Sequence, residues 1–209
     1  MTRVETMDYS ATRSIIEAAR RLHRSGQSEC AIQKLIVSSE EGSIDAMIEL
    51  AHIARDQDRK SERDKWIDKA EATLKPGDLD GHISLNGAYS LGLGRGEREI
   101  LERCALHHLE QVAIAGNTTA QEGLAIHFLH GLNGCEKDVN KFEYWIGIAF
   151  NAGSSRAAYI YAEYLHKDGR QVPPDVVEKL EAVRSHNKAA EKLLNAMAKR
   201  AKARRSNLS

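Results

Sequence analysis

The stretch GNTTAQEGLAIHFLHGLNGCEKDVNKFEYWIGIAFNAG, residues 116–153, predicts two helices joined by a glycine-rich turn. Four apolar residues of its first half fall on one face of a 3.6-residue helix: Ala120, Leu124, Ala125 and Phe128. Gly131 and Gly134 follow, and glycine readily adopts the left-handed conformation that ends helices. The first half is therefore predicted to be a helix that ends near residue 130.

The second half of this stretch predicts a helix that begins after Asp138. An aspartate at this position can accept hydrogen bonds from the free N–H groups of the first turn. Phe142, Trp145 and Ala149 form the apolar stripe of this helix, and Gly153 closes it. The whole stretch is therefore predicted to be a helical hairpin.

The same pattern recurs along the chain behind a leading glycine. The leading glycines are Gly42, Gly77, Gly116 and Gly153, which stand 35, 39 and 37 residues apart. Apolar or small residues recur at the same offsets in the other units: Ala46, Leu50, Ala51 and Ala54; Gly81, Leu85 and Tyr89; Ala157, Tyr161, Ala162 and Leu165. A hairpin of this kind cannot bury its apolar faces alone, so the repeats are expected to stack.

The two ends of the chain extend this pattern, so residues 1–209 are predicted to form a single repeat domain. We expect an N-terminal helix pair over 9–41, joined at Gly26, and repeats over 42–169. One long capping helix is expected over 174–203, with Pro174 in its first turn and a basic tail over 204–209. Its apolar stripe consists of Val177, Leu180, Val183, Leu193, Leu194 and Met197.

Residues 116–153 resemble the Sel1-like repeat, a relative of the tetratricopeptide repeat. The pattern of that repeat resembles G-x3-A-x3-LA-x2-Y/F-x2-G, followed by Asp and by a second helix with W-x3-A-x3-G. Residues 116–153 match every position of this pattern. The unit from Gly77 departs from it at Asn86 and His108. The resemblance implies an all-α fold, a right-handed superhelical solenoid of antiparallel helix pairs that scaffolds protein complexes.

Composition and charge restrict the class of protein. Apolar residues make up 42% and charged residues 29% of the 209 residues, and the formal net charge is zero. Residues 174–209 carry nine Lys or Arg and four Asp or Glu, a net charge of +5, so the preceding residues carry −5. No apolar run suggests a signal peptide or a membrane span.

The three cysteines are widely spaced and indicate neither a disulfide framework nor a zinc site. We therefore expect them to be small core residues of a cytoplasmic protein. We expect no cofactor.

Three features have both a functional and a structural interpretation. The histidines His127 and His130, with His107 and His108 upstream, suggest either a metal site or polar residues between helices. GLGRGE, residues 92–97, superficially suggests a phosphate loop, but it follows a helix and stands where the repeat needs its turn. KRAKARR, residues 199–205, suggests either an anion-binding tail or a solvated helix end whose cations complement the helix dipole.

The first helix of each pair is expected to face the concave side. Positions three, six, ten and thirteen after a leading glycine should be free to bind a partner: Asp45, Ile48, His52 and Arg55; Thr119, Glu122, Ile126 and Leu129; Arg156, Tyr159, Glu163 and His166. Exposed Ile126, Leu129 and Tyr159 would need a cover, supplied either by a partner or by the C-terminal helix.

We therefore expect a non-enzymatic scaffold or adaptor that grips a protein or peptide on its concave groove. One alternative is an inhibitor or immunity-type protein that neutralises a toxin or enzyme. The other is a hydrolytic or metal-dependent enzyme that uses the histidine cluster. Nucleic-acid binding is disfavoured. The sequence leaves open whether the protein forms a homo-oligomer through the ends of the solenoid.

Overall fold

The computed structural model describes residues 9–206, which form eleven α-helices and no strand. The helices are α1 Tyr9–Arg24, α2 Ser28–Glu40, α3 Ile44–Asp56, α4 Lys60–Thr73, α5 Leu79–Ser90, α6 Arg98–Ile114, α7 Thr118–His130, α8 Val139–Asn151, α9 Ser155–Lys167, α10 Pro174–Val183 and α11 Lys188–Ser206. The start of the polar N-terminal segment, 1–8, and the last residues of the basic tail, 207–209, lie outside the described residues. The predicted all-α class is confirmed.

Each leading glycine is followed by a residue that caps the next helix. All four leading glycines have positive φ angles, between 82° and 98°. The residues after them accept a hydrogen bond from the backbone three positions on, at 2.9–3.1 Å: Ser43, Asp78, Asn117 and Ser154. Since such caps satisfy N–H groups that the helix leaves unpaired, glycine and cap together begin each repeat.

The helix boundaries inside residues 116–153 agree with the prediction. Gly131 ends α7 in the left-handed conformation, with φ 65°. Asp138 caps α8 by accepting a hydrogen bond from the Lys141 N–H at 3.0 Å. GLGRGE lies in the loop between α5 and α6, where Arg63 Nη2 donates to the Gly94 carbonyl at 3.0 Å. This segment is therefore the turn of its repeat, as expected.

Of the described residues, 9–115 form one compact unit, in which α1, α3 and α5 are followed by their partners α2, α4 and α6. Its core consists of two clusters. One cluster joins the four helices α3, α4, α5 and α6 through residues such as Met47, Ile67 and Leu85. The other joins α1, α2 and α3 through residues such as Leu35 and Leu50. The predicted apolar positions of the repeats at Gly42 and Gly77 are buried here.

Residues 116–206 form a second compact unit, in which α7 pairs with α8 and α9 with α10. Phe142 and Ile146 are fully buried, and Trp145 is 8% exposed. A cluster around Ala158, Ala162 and Leu180 joins α9, α10 and α11. Small residues on α9 thus let the C-terminal helices approach closely.

The expectation of one long helix over 174–203 is wrong. The chain forms α10, which begins at Pro174 as predicted, and a separate α11. Asn187 interrupts the pattern because its side chain accepts hydrogen bonds from the Ala189 and Ala190 N–H groups at 3.0 and 3.2 Å, which begins a new helix. The break lets Leu193 and Leu194 pack back on the same cluster as Leu180.

Candidate functional site

The first helices of the N-terminal unit line a groove of about 710 Å³, which we call the N-terminal groove. Ile16 on α1, Ile48 on α3 and Ala88 on α5 form its buried apolar floor. Leu91, at the end of α5, lines the same groove with 62% of its surface exposed. A large apolar side chain is therefore presented to solvent beside an apolar floor.

Ion pairs and hydrogen bonds hold the polar wall of the N-terminal groove. Arg20 on α1 donates from Nε to Glu49 Oε2 at 2.8 Å, and its Nη2 lies 2.8 Å from the same oxygen. The Glu49 side chain is only 8% exposed, and its hydrogen bond raises the pKa of Arg20. Ser84 Oγ donates to Asp45, which ties α5 to α3. This wall is held rigidly before any ligand arrives.

His52 adds a titratable group to the same groove. Burial lowers the pKa of His52 below its ordinary value of 6.5. The ring is therefore neutral at physiological pH, with one N–H donor and one acceptor nitrogen. It can hydrogen-bond to a ligand without adding a charge.

A second groove, of about 470 Å³, lies between α7 and α9 in the C-terminal unit, and we call it the α7–α9 groove. Ile126 and Leu129 on α7 face Ile160, Glu163 and Tyr164 on α9. The Glu163 carboxylate lies 3.3 Å from Lys167 Nζ, and it accepts a hydrogen bond from the Tyr159 hydroxyl at 3.2 Å. This groove thus combines an apolar surface of Ile126, Leu129 and Ile160 with a charged edge that carries two lysines and two carboxylates.

The twelve predicted partner-binding residues do not share one groove, and they lie in separate grooves, on the exposed surface or packed against neighbouring helices. Asp45, Ile48 and His52 line the N-terminal groove, and Ile126, Leu129 and Glu163 line the α7–α9 groove. Arg55 is exposed and pairs with Asp56 at 3.3 Å, and Thr119 is exposed. Tyr159 is half-buried against the cluster of α9, α10 and α11, and His166 faces a further groove described below.

Position six after the leading glycine is buried in two of the predicted units, at Ile48 and Glu122, and half-buried in the third, at Tyr159. Ile48 is 8% exposed because it packs in the core cluster beside Leu85 and Ala88 of the next first helix. Glu122 is 5% exposed because Ser154 donates a hydrogen bond to it and Arg156 Nε lies 3.5 Å from its carboxylate. Neighbouring repeats therefore cover Ile48 and Glu122.

The basic segment 199–205 has a structural partner. Arg200 donates to the carbonyl of His166, and Arg204 Nη2 donates to the carbonyl of Gly169 at 2.9 Å. These carbonyls stand at the C-terminal end of α9, where helices leave acceptors unpaired. The cations thus complement the dipole of α9, whereas the sequence suggested the dipole of their own helix.

The four histidines that the sequence left open as a metal site or as polar residues between helices are not grouped as a metal centre in the part of the chain that the structure describes. Within residues 9–206, no three His, Cys, Asp or Glu side chains are grouped to hold a metal ion. His127 is half-buried and His130 is exposed at the α7–α9 groove. His108 is buried instead against Glu71 and His82, with 2% of its surface exposed.

The cysteines differ in part from the expected small core residues. Cys30 is exposed, and Cys104 and Cys135 are half-buried. Burial raises the pKa of both Cys104 and Cys135. A raised pKa leaves less thiolate, so neither thiol is activated as a nucleophile.

The residues of the N-terminal groove that escaped the sequence interpretation include Arg20, Gly87 and Leu91. Gly87 lies inside α5, and a Cβ added there would meet no atom within 4 Å. Gly87 is at position ten after Gly77, one of the four offsets expected to face a partner, so the repeat register could have predicted its place in the groove. Leu91 and Arg20 fall outside the four chosen offsets, and only the packing of α1, α3 and α5 brings them together.

Comparison with known proteins relates this chain to solved structures. No protein-family model matches the sequence, and no curated protein is significantly similar to it. A protective antigen present in uropathogenic Escherichia coli strains, described as displaying an SLR fold, matches with TM-score 0.54 and 20% identity over 89% of this chain. A Sel1 repeat protein from Oxalobacter formigenes matches with TM-score 0.53 and 16% identity over 86% of this chain.

These matches show the fold. The chain spans 41% of the length of the first structure and 74% of the second. The resemblance found in residues 116–153 is therefore confirmed at the level of the fold, a helical solenoid of Sel1-like repeats. Among the described residues, no helix is both long and apolar enough to cross a membrane.

Proposed function

We propose that this protein is a non-enzymatic scaffold that binds a protein or peptide partner in the N-terminal groove. The observation that carries the proposal is Leu91, which exposes 62% of its surface in a groove of about 710 Å³. Exposed apolar surface of this kind is stabilised when a partner covers it. The proposal extends to the α7–α9 groove, where Ile126 and Leu129 offer a second apolar surface.

The polar wall supports recognition of a peptide. Arg20 has five N–H donors and uses two of them on Glu49, so donors remain for a partner carbonyl or carboxylate. Because Glu49 already holds the guanidinium in place, binding costs little further side-chain entropy. Gly87 has no side chain, so a partner backbone can approach α5 closely at that point.

We further propose that the partner is met in a reducing compartment such as the cytoplasm. Three cysteines without disulfide partners, one of them exposed, support this placement. An adaptor and an inhibitor both use such a groove, but they differ in the complex they form. An adaptor takes an extended segment of its partner, whereas an inhibitor covers a folded active site in a tight complex of fixed stoichiometry.

The test fills the groove without disturbing the fold. Gly87→Trp places a large ring in the N-terminal groove, and Gly147→Trp places the same ring on α8, where a Cβ also meets nothing within 4 Å. Both substitutions remove a helical glycine, and helix propensity favours tryptophan over glycine by roughly 0.5 kcal/mol or less, so each should keep or slightly raise stability. The parent and both variants are used to capture partners from a lysate of the source organism, and captured proteins are purified and titrated.

The proposal expects a purified partner to bind the parent and Gly147→Trp equally, and Gly87→Trp at least about tenfold more weakly. Equal affinity for all three proteins would place binding elsewhere. A partner that is an enzyme and loses activity in a one-to-one complex would identify the inhibitor role. Binding of a synthetic segment of the partner would identify the adaptor role.

A further inference from the structure

A third groove, of about 490 Å³, lies at the C-terminal end of the second unit, and we call it the C-terminal groove. It is lined by His166 near the end of α9, by residues 170–172 of the loop that follows, and by one face of both α10 and α11. Its apolar lining comes from Val172, Val177, Leu194 and Met197. It is distinct from the two grooves of the proposed function, which are lined mainly by first helices.

The charge of the C-terminal groove sets it apart from the others. Arg170, Arg200 and Arg204 line it, and the carboxylates near them are Glu181 in the lining and Glu143, which pairs with Arg170 at 2.6 Å. The Glu181 carboxylate already lies 3.2 Å from the Arg184 guanidinium, which neutralises much of its field. The N-terminal groove, by contrast, is lined by two arginines and two carboxylates, Arg13, Arg20, Glu17 and Asp45.

The groove arginines keep donors for a ligand. Arg200 and Arg204 each donate to a carbonyl at the end of α9, and Arg170 Nη1 donates to Glu143 at 2.6 Å. A guanidinium has five N–H donors, so each of these side chains is held in place without being saturated. Fixed arginines around an apolar strip favour carboxylates that flank an apolar surface.

We propose that the C-terminal groove binds an acidic amphipathic helix of a partner protein. Its apolar residues would cover Val177, Leu194 and Met197, and its Glu or Asp residues would meet the three arginines. The fit follows the general manner in which an amphipathic helix places its apolar face in a groove. Charge complementarity selects this occupant over a basic peptide.

The experiment uses the full chain and two labelled synthetic peptides of about 14 residues, four helical turns. Both carry leucines at i, i+3, i+4 and i+7, with glutamates at the other positions of one peptide and lysines in the other. Fluorescence anisotropy should show binding of the Glu peptide that weakens as salt is added, and no binding of the Lys peptide. Equal binding of the two peptides, or no binding of the Glu peptide up to about 1 mM, would overturn the proposal.

Two variants of α11 locate the site. Ala198 lines the groove and Ala196 does not, and both are exposed on the same helix. Ala198→Glu should weaken the Glu peptide about tenfold through like-charge repulsion, while Ala196→Glu should leave the affinity within about twofold. Circular dichroism checks that both variants fold, and equal effects of the two substitutions would count against the site.

Two further probes separate this occupant from other anionic ones. Vesicles of phosphatidylserine and phosphatidylcholine, and a single-stranded oligonucleotide, are tested on the same proteins. The proposal expects neither to compete with the Glu peptide at physiological salt. Displacement of the peptide by either probe, with the same response to Ala198→Glu, would assign the groove to a membrane or to nucleic acid instead.

Discussion

His108 Nε2 lies 2.9 Å from Glu71 Oε1, although the two residues are 37 positions apart on α6 and α4. The same oxygen accepts a hydrogen bond from the Tyr89 hydroxyl at 2.6 Å, and Tyr89 stacks on the His108 ring. His108 stands where the resembled repeat has tryptophan. A partly buried hydrogen-bonded network centred on the buried His108 ring therefore replaces an apolar anchor at this point of the N-terminal unit.

Removing the centre of this network should destabilise the N-terminal unit. His108→Ala removes the hydrogen bonds of His108 to Glu71 and His82 and opens a cavity, so we expect the free energy of unfolding to fall by about 2 kcal/mol. Urea denaturation measures it. Glu110→Ala on the exposed face of α6 is the control and should stay within about 0.5 kcal/mol of the parent. Equal stability of the two variants would show that the network contributes nothing.

The network also predicts a pH dependence. His82 Nδ1 lies 2.9 Å from His108 Nδ1, so one nitrogen carries the hydrogen and the other accepts it. Burial and the neighbouring His108 charge lower the pKa of His82 from its ordinary 6.5. Burial alone would raise the pKa of Glu71, but hydrogen bonds from His108 and Tyr89 outweigh it and lower that pKa.

The lowered pKa values of His82 and Glu71 both make the protein less stable as the pH falls. A group whose pKa is lowered by folding stabilises the native state above its unfolded pKa, and that contribution is lost as pH falls through the folded value. Stability should therefore decline below about pH 6.5 as the unfolded state takes up protons, and more steeply below about pH 4.5. Melting temperatures between pH 8 and 4 test this, and a flat profile down to pH 5 contradicts it. His82→Gln should reduce the slope between pH 6.5 and 5.

The Arg20–Glu49 pair yields a prediction for the N-terminal groove. Arg20→Ala leaves the buried Glu49 carboxylate without its partner, and we expect a loss of about 1–3 kcal/mol because the unpaired charge remains desolvated. Arg13→Ala removes an exposed arginine whose pair with Glu17 spans 3.4 Å, and should cost less than about 0.5 kcal/mol. If Arg20→Ala/Glu49→Gln recovers no stability relative to Arg20→Ala, the unpaired charge is not the cause.

A pair of glycines tests the origin of the repeat boundaries. Gly153 has φ 98° and Gly147 lies inside α8, and a Cβ at either position meets nothing within 4 Å. Gly153→Ala should therefore destabilise by about 1–2 kcal/mol through backbone strain alone. Gly147→Ala should stabilise by about 0.5–1 kcal/mol through helix propensity. Thermal unfolding measures the melting temperature of each variant against the parent. If both substitutions change the melting temperature in the same direction, the positive φ of Gly153 does not explain its role.

The sequence by itself determined the features that depend on neighbours in the chain. The all-α class, the leading glycines, the Asp138 cap and the buried positions of residues 116–153 follow from the 3.6-residue period and from backbone conformations that only certain residues adopt readily. The turn role of residues 92–97 followed from the same register.

Tertiary structure alone decided which of these side chains remain accessible. Ile48 and Glu122 occupy the predicted offsets yet are buried, because the next repeat packs over them. Arg20 meets Glu49 across 29 residues and His82 meets His108 across 26, and no local pattern marks either pair. Helical periodicity assigns a residue to a face, whereas the stacking of helices from different repeats determines what covers that face.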